Sequence, residues 1–183
     1  MRLFFAIEIP APIKREVVSI QKSLGADLKG IKWVEETNLH LTLKFLGEAA
    51  DDMVEEIVST TRTGLQSCSR HRLQLGNIGF FPNRNRPRVV WLGVSGQTDM
   101  TDKIGQELDA RLNPLGFEPD LKRKIHLTLG RINDESAGGP LVIKATEIRN
   151  FEQQMSFEVG QILLFRSELT RSGPIYSVIE KFV

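Results

Sequence analysis

Two of the three histidines in this sequence open the same tetrapeptide, His-Leu-Thr-Leu, at residues 40–43 and again at residues 126–129. The ordinary pKa of imidazole lies near neutrality, so a histidine pair can supply one neutral base and one charged acid. A hydroxyl two residues after each histidine can donate a hydrogen bond to an anion. In-line displacement at a phosphodiester needs a base on the attacking oxygen, an acid on the leaving oxygen and donors to the non-bridging oxygens. We therefore predict that His40 and His126 are catalytic and that Thr42 and Thr128 bind the phosphate.

The sequence lacks the residue motifs that several other catalytic chemistries need. Zinc needs three or four ligands, and the chain has no His-x-x-x-His pair and only one cysteine. It has no Gly-x-x-x-x-Gly-Lys-Ser/Thr loop for a nucleotide and no Gly-x-Ser-x-Gly turn for a serine nucleophile. The third histidine, His71, has no threonine two residues later, so we predict a structural role for it. We therefore expect no zinc site and no use of ATP.

The repeat extends beyond the tetrapeptides. An arginine that opens an apolar run precedes each motif by 38 residues (40 − 2 and 126 − 88), Arg2 in the first half and Arg88 in the second. The spacing of the two motifs also aligns Gly30 with Gly116. An internal duplication is the simplest account. If a pseudo-two-fold axis relates the halves, the two catalytic histidines face each other across a cleft.

Hydrophobic periodicity predicts the elements that position these residues. Alternation predicts strands over 2–9, 39–46, 73–81, 89–94, 124–132, 157–169 and 175–182, with a shorter one over 32–36. Helical spacing predicts helices over 13–24, 54–65 and 100–112, the second capped by Asp51 or Asp52. Residues 141–148 fit a helix or a strand. The order of elements predicts an α+β fold.

We expect one domain over 1–183, with repeat units at about 1–82 and 87–170 and a C-terminal strand at 174–183. The two pseudo-symmetric lobes would each be a small, mainly antiparallel sheet with helices on its outer face. Side chains of a strand alternate between faces, so His40 and Thr42 share one face, which would line the central cleft.

The composition is that of a globular chain without a strong overall charge. The chain has 183 residues, 40% hydrophobic and 26% charged, with 24 basic against 23 acidic, so local patches must attract any nucleic acid. The single cysteine, Cys68, excludes an internal disulfide and fits a reducing compartment. The apolar start is too short for a signal peptide or a membrane span. We expect a cytoplasmic monomer that does not bind membranes.

The motifs with their flanks resemble the 2H phosphoesterase superfamily, and more closely its RNA 2′,3′-cyclic phosphodiesterases, also called 2′-5′ RNA ligases. The resemblance covers nearly the whole chain and rests on RLFFAI followed by Pro10, HLTLKFLG at 40–47, FFP at 80–82, HLTLGR at 126–131 and Gly173-Pro174-x-Tyr176. It implies two lobes, no metal or nucleotide cofactor, and hydrolysis of an RNA terminal 2′,3′-cyclic phosphate to a 2′-phosphate. It also implies a reversible 2′-5′ joining of RNA ends without ATP.

The implied partners are RNA ends that carry the cyclic phosphate, with tRNA fragments as one candidate. DNA ends are excluded because the cyclic phosphate requires a 2′-hydroxyl. As a hypothesis for the roles, His126 activates water and His40 protonates the departing 3′ oxygen, and the sequence leaves the reverse assignment open.

Arg131 matches an arginine that resembles a phosphate ligand in this family. Strict alternation puts it on the face opposite His126, so it needs a bulge or the strand's end to turn inward; a solvated surface arginine is the alternative. Phe45, Phe81 and Tyr176 are candidates to stack on a base, although alternation places Phe45 on the core face and favours packing for it.

Two basic clusters precede strands of the second half, and either could steer phosphates or be a solvated loop: Arg84, Arg86 and Arg88, and Lys122, Arg123 and Lys124.

Two other functions remain open. One is a phosphodiesterase for small cyclic nucleotides. The other is a non-catalytic RNA-binding module, against which the sequence lacks the basic-aromatic strand signature of such modules.

Overall fold

The computed structural model describes residues 1–25, 27–65, 70–148, 151, 155–171 and 173–182, so Cys68 and Val183 lie outside the described residues. The strands are β1 (Arg2–Glu8), β2 (Ile31–Trp33), β3 (His40–Glu48), β4 (His71–Phe81), β5 (Val89–Gly96), β6 (His126–Ile132), β7 (Ser156–Val159), β8 (Ile162–Leu169) and β9 (Pro174–Phe182). The helices are α1 (Ala11–Gly25), α2 (Val54–Leu65), α3 (Thr98–Leu112) and α4 (Gly138–Glu147).

The strands form two antiparallel sheets. The first has the order β3-β1-β8-β9 and the second has the order β2-β6-β5-β4-β7. The motif strands β3 and β6 occupy equivalent positions, because β3-β1-β8-β9 corresponds strand by strand to β6-β5-β4-β7. The predicted α+β fold with two pseudo-symmetric, mainly antiparallel sheets is confirmed.

Each half of the sequence gives strands to the other half's sheet. β4, from the first half, pairs with β5, and β8, from the second half, pairs with β1. The short strand β2 also crosses over and pairs with β6. The lobes of the molecule are therefore not the two halves of the sequence.

The helices bury the apolar stripes that their periodicity predicts. In α1 the buried side chains include Ile13, Val17, Ile20 and Leu24, and the helix ends at Gly25, whose φ of 106° suits a residue without a Cβ. α1 packs against α4, and α2 packs against α3. One apolar core contains buried residues of the four helices and of both sheets. No helix in the described ranges is long and apolar enough to cross a bilayer.

Three details of the predicted elements differ. Neither Asp51 nor Asp52 caps α2, because both lie within a 3-10 turn that precedes it, and the carboxylate of Asp51 instead accepts from the N-terminal amine. The strand predicted over 157–169 is two strands, β7 and β8, which lie in different sheets. The predicted strand at 32–36 is shorter, and 36–38 form a 3-10 turn.

Two other predictions are settled by the structure. The undecided segment 141–148 lies almost wholly in helix α4. His71 is buried, and its Nε2 lies 2.9 Å from Oγ1 of Thr101, as its structural interpretation requires.

Candidate active site

The two His-Leu-Thr-Leu segments begin strands β3 and β6. In each segment the histidine and the threonine are half-buried, whereas both leucines are buried in the core. The predicted alternation is therefore confirmed along the tetrapeptides. β3 and β6 belong to different sheets but are in contact with each other. The fold thus makes the two motif strands neighbours.

A β-bulge in β3 reverses the alternation after the motif. Thr42 pairs with Ala6 and Lys44 with Phe5, so Leu43 is an extra residue on the β3 side. Leu43 and Lys44 are consequently both buried, and Phe45 turns to the side of His40, where it is 72% exposed. The expected packing role of Phe45 on the core face is wrong. Its exposed ring lies 5.9 Å from that of Phe4, on the face that carries the motif.

β6 contains the same bulge. Thr128 pairs with Trp91 and Gly130 with Val90, which leaves Leu129 as the extra residue. Arg131 is therefore exposed and turns to the side of His126, as its prediction required. Its binding of a phosphate stays a prediction.

His40 packs among aromatic rings of the first sheet. Its ring centroid lies 4.8 Å from that of Phe4 and 5.2 Å from that of Tyr176, which meets it edge-on. Burial lowers the pKa of His40 from 6.5 to about 4; the charge of Lys14 acts in the same direction, and the hydrogen bond with the carbonyl of Asn38 opposes them. His40 is therefore neutral at neutral pH in the free protein.

His126 has an equivalent aromatic setting in the second sheet, with Lys124 over two of the rings. Phe81 meets its ring edge-on at 5.0 Å and stacks on Trp91 at 4.9 Å. Nζ of Lys124 lies 4.9 Å from the centroid of Trp91 and 5.4 Å from that of Phe81, within the range of a cation–π contact. Phe81 is thus already engaged with His126, Trp91 and Lys124, which makes it a support for His126 as well as a candidate to stack on a base.

Both histidines are held by the same backbone contact. Nδ1 of His40 lies 2.7 Å from the carbonyl oxygen of Asn38, and Nδ1 of His126 lies 2.6 Å from that of Lys124. A carbonyl oxygen only accepts, so each Nδ1 must carry the proton. Nε2 of each ring is left to accept a proton when the imidazole is neutral and to donate one when it is charged. This tautomer is the one that general acid–base catalysis at Nε2 requires.

The first residue of β9 is fixed beside the start of the first motif strand. Nδ2 of Asn38 donates to the carbonyl oxygen of Pro174 at 3.0 Å, which fixes the start of β9 next to the first motif. Tyr176 follows two residues later. Burial raises the pKa of its phenol, and the positive charge of Arg131 partly offsets that effect. Arg131 of the second sheet therefore acts electrostatically on a residue that touches His40 of the first.

The residues of the two basic clusters differ in what their side chains contact in the structure. Arg123 is a buried partner of Asp109 and is not free to steer phosphates, whereas Arg88 forms an exposed ion pair with Glu135. Only Lys124 stands directly beside a catalytic candidate. Arg84 and Arg86 are exposed on the loop before β5, and Lys122 is exposed on the approach to β6.

The sequence interpretation missed Phe4, Trp91 and Lys32. Phe4 and Trp91 form the aromatic floors beneath the two histidines, and Lys32 lies on β2 directly opposite Arg131. For Phe4 a signal existed: the continuous apolar run of β1 is typical of a central strand that is covered on both faces. For Lys32 there was none, because only the pairing of β2 with β6 brings it to the site.

Among the described residues, no three His, Cys, Asp or Glu side chains are grouped so that they could hold a metal ion.

An open groove of about 510 Å³ lies away from the two motifs, where the start of α1 meets Arg70 and Glu158. Neither His40 nor His126 lines it, and its lining includes the apolar Ile7, Ile9 and Val159. The groove is therefore separate from the chemistry that the motifs can perform.

Two equivalent sheets that each present one histidine and one threonine define the two-histidine class of phosphoesterases. The family model described as LigT like phosphoesterase matches the chain twice, over residues 7–91 and 92–176. The chain belongs to this family.

The relatives cover the chain almost completely. An RNA 2′,3′-cyclic phosphodiesterase of Methanocaldococcus jannaschii is 37% identical over 100% of both chains, and one of Thermotoga maritima is 31% identical over 98% of this chain and 93% of its own. A solved structure from Thermus thermophilus has a TM-score of 0.82 at 27% identity and covers 100% and 97% of the two chains. Escherichia coli LigT in complex with 3′-AMP has the same fold, with a TM-score of 0.78 at 24% identity over 99% and 96%.

Proposed function

We propose that this protein hydrolyses the 2′,3′-cyclic phosphate at an RNA 3′ end to a 2′-phosphate, with His40 and His126 as its acid–base pair. The observation that carries the proposal is the matched tautomer of the two imidazoles, each held at Nδ1 by a backbone carbonyl and free at Nε2. The relatives named RNA 2′,3′-cyclic phosphodiesterase support the substrate. The site is proposed to work without a metal.

His40 is assigned as the general base. With a pKa of about 4, only about one His40 in a thousand carries a charge at pH 7 in the free protein, so its Nε2 is unprotonated and available as the base. His126 is then the acid. This assignment reverses the hypothesis made from the sequence, in which His126 activated water. The reason is the aromatic burial of His40, which depends on the tertiary packing of Phe4 and Tyr176.

The proposed reaction is one displacement at phosphorus. Nε2 of His40 takes a proton from water as the water oxygen bonds to phosphorus. The bond between phosphorus and the 3′ oxygen breaks, and Nε2–H of His126 gives that oxygen its proton. The hydroxyls of Thr42 and Thr128 donate to the non-bridging oxygens, whose negative charge grows in the transition state. A 5′-hydroxyl in place of water would give the 2′-5′ linkage, without ATP, from the same ring opening.

The proposed partners are therefore RNA ends, with tRNA fragments as one candidate, and the proposed setting is a monomer in the cytoplasm. A 2′-hydroxyl is needed to close the ring, so DNA ends are not substrates.

The first experiment measures hydrolysis of a short oligoribonucleotide that ends in a 2′,3′-cyclic phosphate, in excess EDTA. Wild type, His40→Ala, His126→Ala and the matched surface control Thr63→Ala are compared, and the position of the product phosphate is determined. We expect a 2′-phosphate from wild type and control and a loss of at least about 100-fold in either histidine variant. Turnover that requires added metal, or a histidine variant that retains normal turnover, would contradict the proposal.

The two roles are separated by a substrate whose 3′ oxygen is replaced by sulfur. A thiolate leaves without protonation, so the acid becomes dispensable while the base does not. We expect His126→Ala to regain most of the wild-type rate on this substrate and His40→Ala to remain inactive. The opposite pattern would restore the assignment first made from the sequence.

A further inference from the structure

We propose that Lys32 and Arg131 form a second anion site beside the catalytic histidines and that it binds a backbone phosphate of the RNA strand. The enzyme would then favour the end of an RNA chain over a cyclic mononucleotide, which has no second phosphate. This inference rests on the proposed function, because it names the part of the substrate that the neighbouring surface recognises.

The pairing of two strands brings these side chains together. β2 pairs antiparallel with β6, and Lys32 lies directly opposite Arg131. Ile31 and Trp33, on either side of Lys32, pack against the core, so Lys32 points to the opposite side. The bulge at Leu129 turns Arg131 to this same side, where His126 lies. Both cations are exposed on the face that carries the catalytic residues.

The electrostatics of the pair favour an anion between the two side chains. Like charges directly opposite each other destabilise an antiparallel pair. No carboxylate in the part of the chain that the structure describes forms an ion pair with either side chain. A phosphate held by both would replace their repulsion with two charge-assisted hydrogen bonds.

The pair is next to the scissile position but displaced from it. Lys32 extends toward the β8–β9 turn, where its Nζ would lie 3.6 Å from a Cβ added at Gly173. The same turn is fixed to Asn38 and leads into Tyr176, which touches His40.

β2 pairs with β6 at Gly130–Ile132, so Lys32 and Arg131 lie past the motif residues His126 and Thr128 along β6. Thr42 and Thr128 are already assigned to the scissile phosphate. The two cations therefore suit a phosphate that lies farther along the RNA strand than the scissile phosphate.

The test compares two substrates in Lys32→Gln, with Lys103→Gln on the outer surface of α3 as the matched control. The substrates are 2′,3′-cyclic AMP and a short oligoribonucleotide that ends in the same cyclic nucleotide. We expect Lys32→Gln to raise KM for the oligonucleotide about tenfold. The factor by which it raises KM for cyclic AMP should be at least about fivefold smaller. Lys32→Arg, which keeps the charge, should retain the oligonucleotide preference, and Lys103→Gln should match wild type. An equal rise in KM for both substrates, or an unchanged KM for both, would overturn the proposal.

A binding measurement tests the anion site independently of turnover. The probe is a labelled oligoribonucleotide that ends in a 2′-phosphate, measured by fluorescence anisotropy over a range of salt concentrations. Removing one phosphate contact should lower the slope of log Kd against log salt by about 0.7 in Lys32→Gln relative to wild type. If wild type binds in this Lys32-dependent way but does not hydrolyse the cyclic end, the proposed reaction fails and the anion site stands. An unchanged slope with normal hydrolysis would remove the site and leave the reaction.

Discussion

Nε of Arg123 donates a hydrogen bond to the carbonyl oxygen of Leu43 at 2.9 Å, which joins the segment that leads into the second motif to the bulge of the first. Arg123 also pairs with Asp109, and Asp109 accepts from Nζ of Lys44 at 2.6 Å. The side chains of Lys44, Arg123 and Asp109 are only 1%, 9% and 12% exposed. One buried carboxylate of α3 thus ties the bulge that orients Phe45 to the strand that carries His126.

Asp109→Asn should strongly destabilise the protein. Burial acts to raise the pKa of Asp109, but hydrogen bonds from Lys44 and Arg123 outweigh it and hold the pKa below its usual value. Removal of the carboxylate leaves two buried cations without a counter-charge, which costs about 3–5 kcal/mol of unfolding free energy. Urea denaturation at pH 7 measures the loss, with Asp102→Asn on the exposed side of the same helix as control. Equal stabilities of the two variants would show that the buried cluster contributes nothing.

His40 should make stability depend on pH in a defined window. Its pKa is about 4 in the folded protein and 6.5 in the unfolded chain, so below pH 6.5 the unfolded chain binds a proton that the folded protein does not. Stability should therefore fall between pH 6.5 and 4 and then level off, by about 3 kcal/mol in all. The measurement is the difference in unfolding free energy between wild type and His40→Gln at several pH values. If the two curves run parallel, the burial of His40 does not lower its pKa.

Gly79→Ala should disturb the site through Trp91. A Cβ at Gly79 would overlap the indole of Trp91, so the ring that supports His126 and Lys124 must move. We expect a loss of about 1–3 kcal/mol in stability and a clear fall in kcat/KM for the cyclic oligonucleotide. Gly139→Ala is the control, because nothing lies within 4 Å of a Cβ there. Normal activity in Gly79→Ala would mean that the position of Trp91 does not matter to catalysis.

Phe45→Ala should change substrate binding far more than stability. The ring is 72% exposed, so its removal should alter the unfolding free energy by no more than about 0.5 kcal/mol. If it stacks on a base, KM for the oligonucleotide should rise by a factor that corresponds to about 1–3 kcal/mol. Ile143→Ala, at a 63% exposed apolar residue of α4, is the control and should leave KM unchanged. A large loss of stability in Phe45→Ala would instead support a packing role.

The sequence alone was enough to predict the residues proposed for chemistry and their common face. His40 and Thr42, like His126 and Thr128, are two residues apart on a strand, and this local period of two holds whatever the strand pairs with. The helices were also predictable, because their buried stripes repeat within each helix. The family followed from the flanks of the two motifs.

Only the tertiary structure decided what surrounds those residues. Phe45 and Arg131 turn toward the face of the motif histidines because Leu43 and Leu129 are extra residues against their partner strands, and a bulge exists only relative to a partner. Lys32 reaches Arg131 because β2 crosses to the second sheet, and Arg123 is buried because Asp109 lies beneath it. The lowered pKa of His40 likewise depends on Phe4 and Tyr176, which come from opposite ends of the chain. Each of these features depends on contacts between residues far apart in sequence, so no local pattern of residues could determine it.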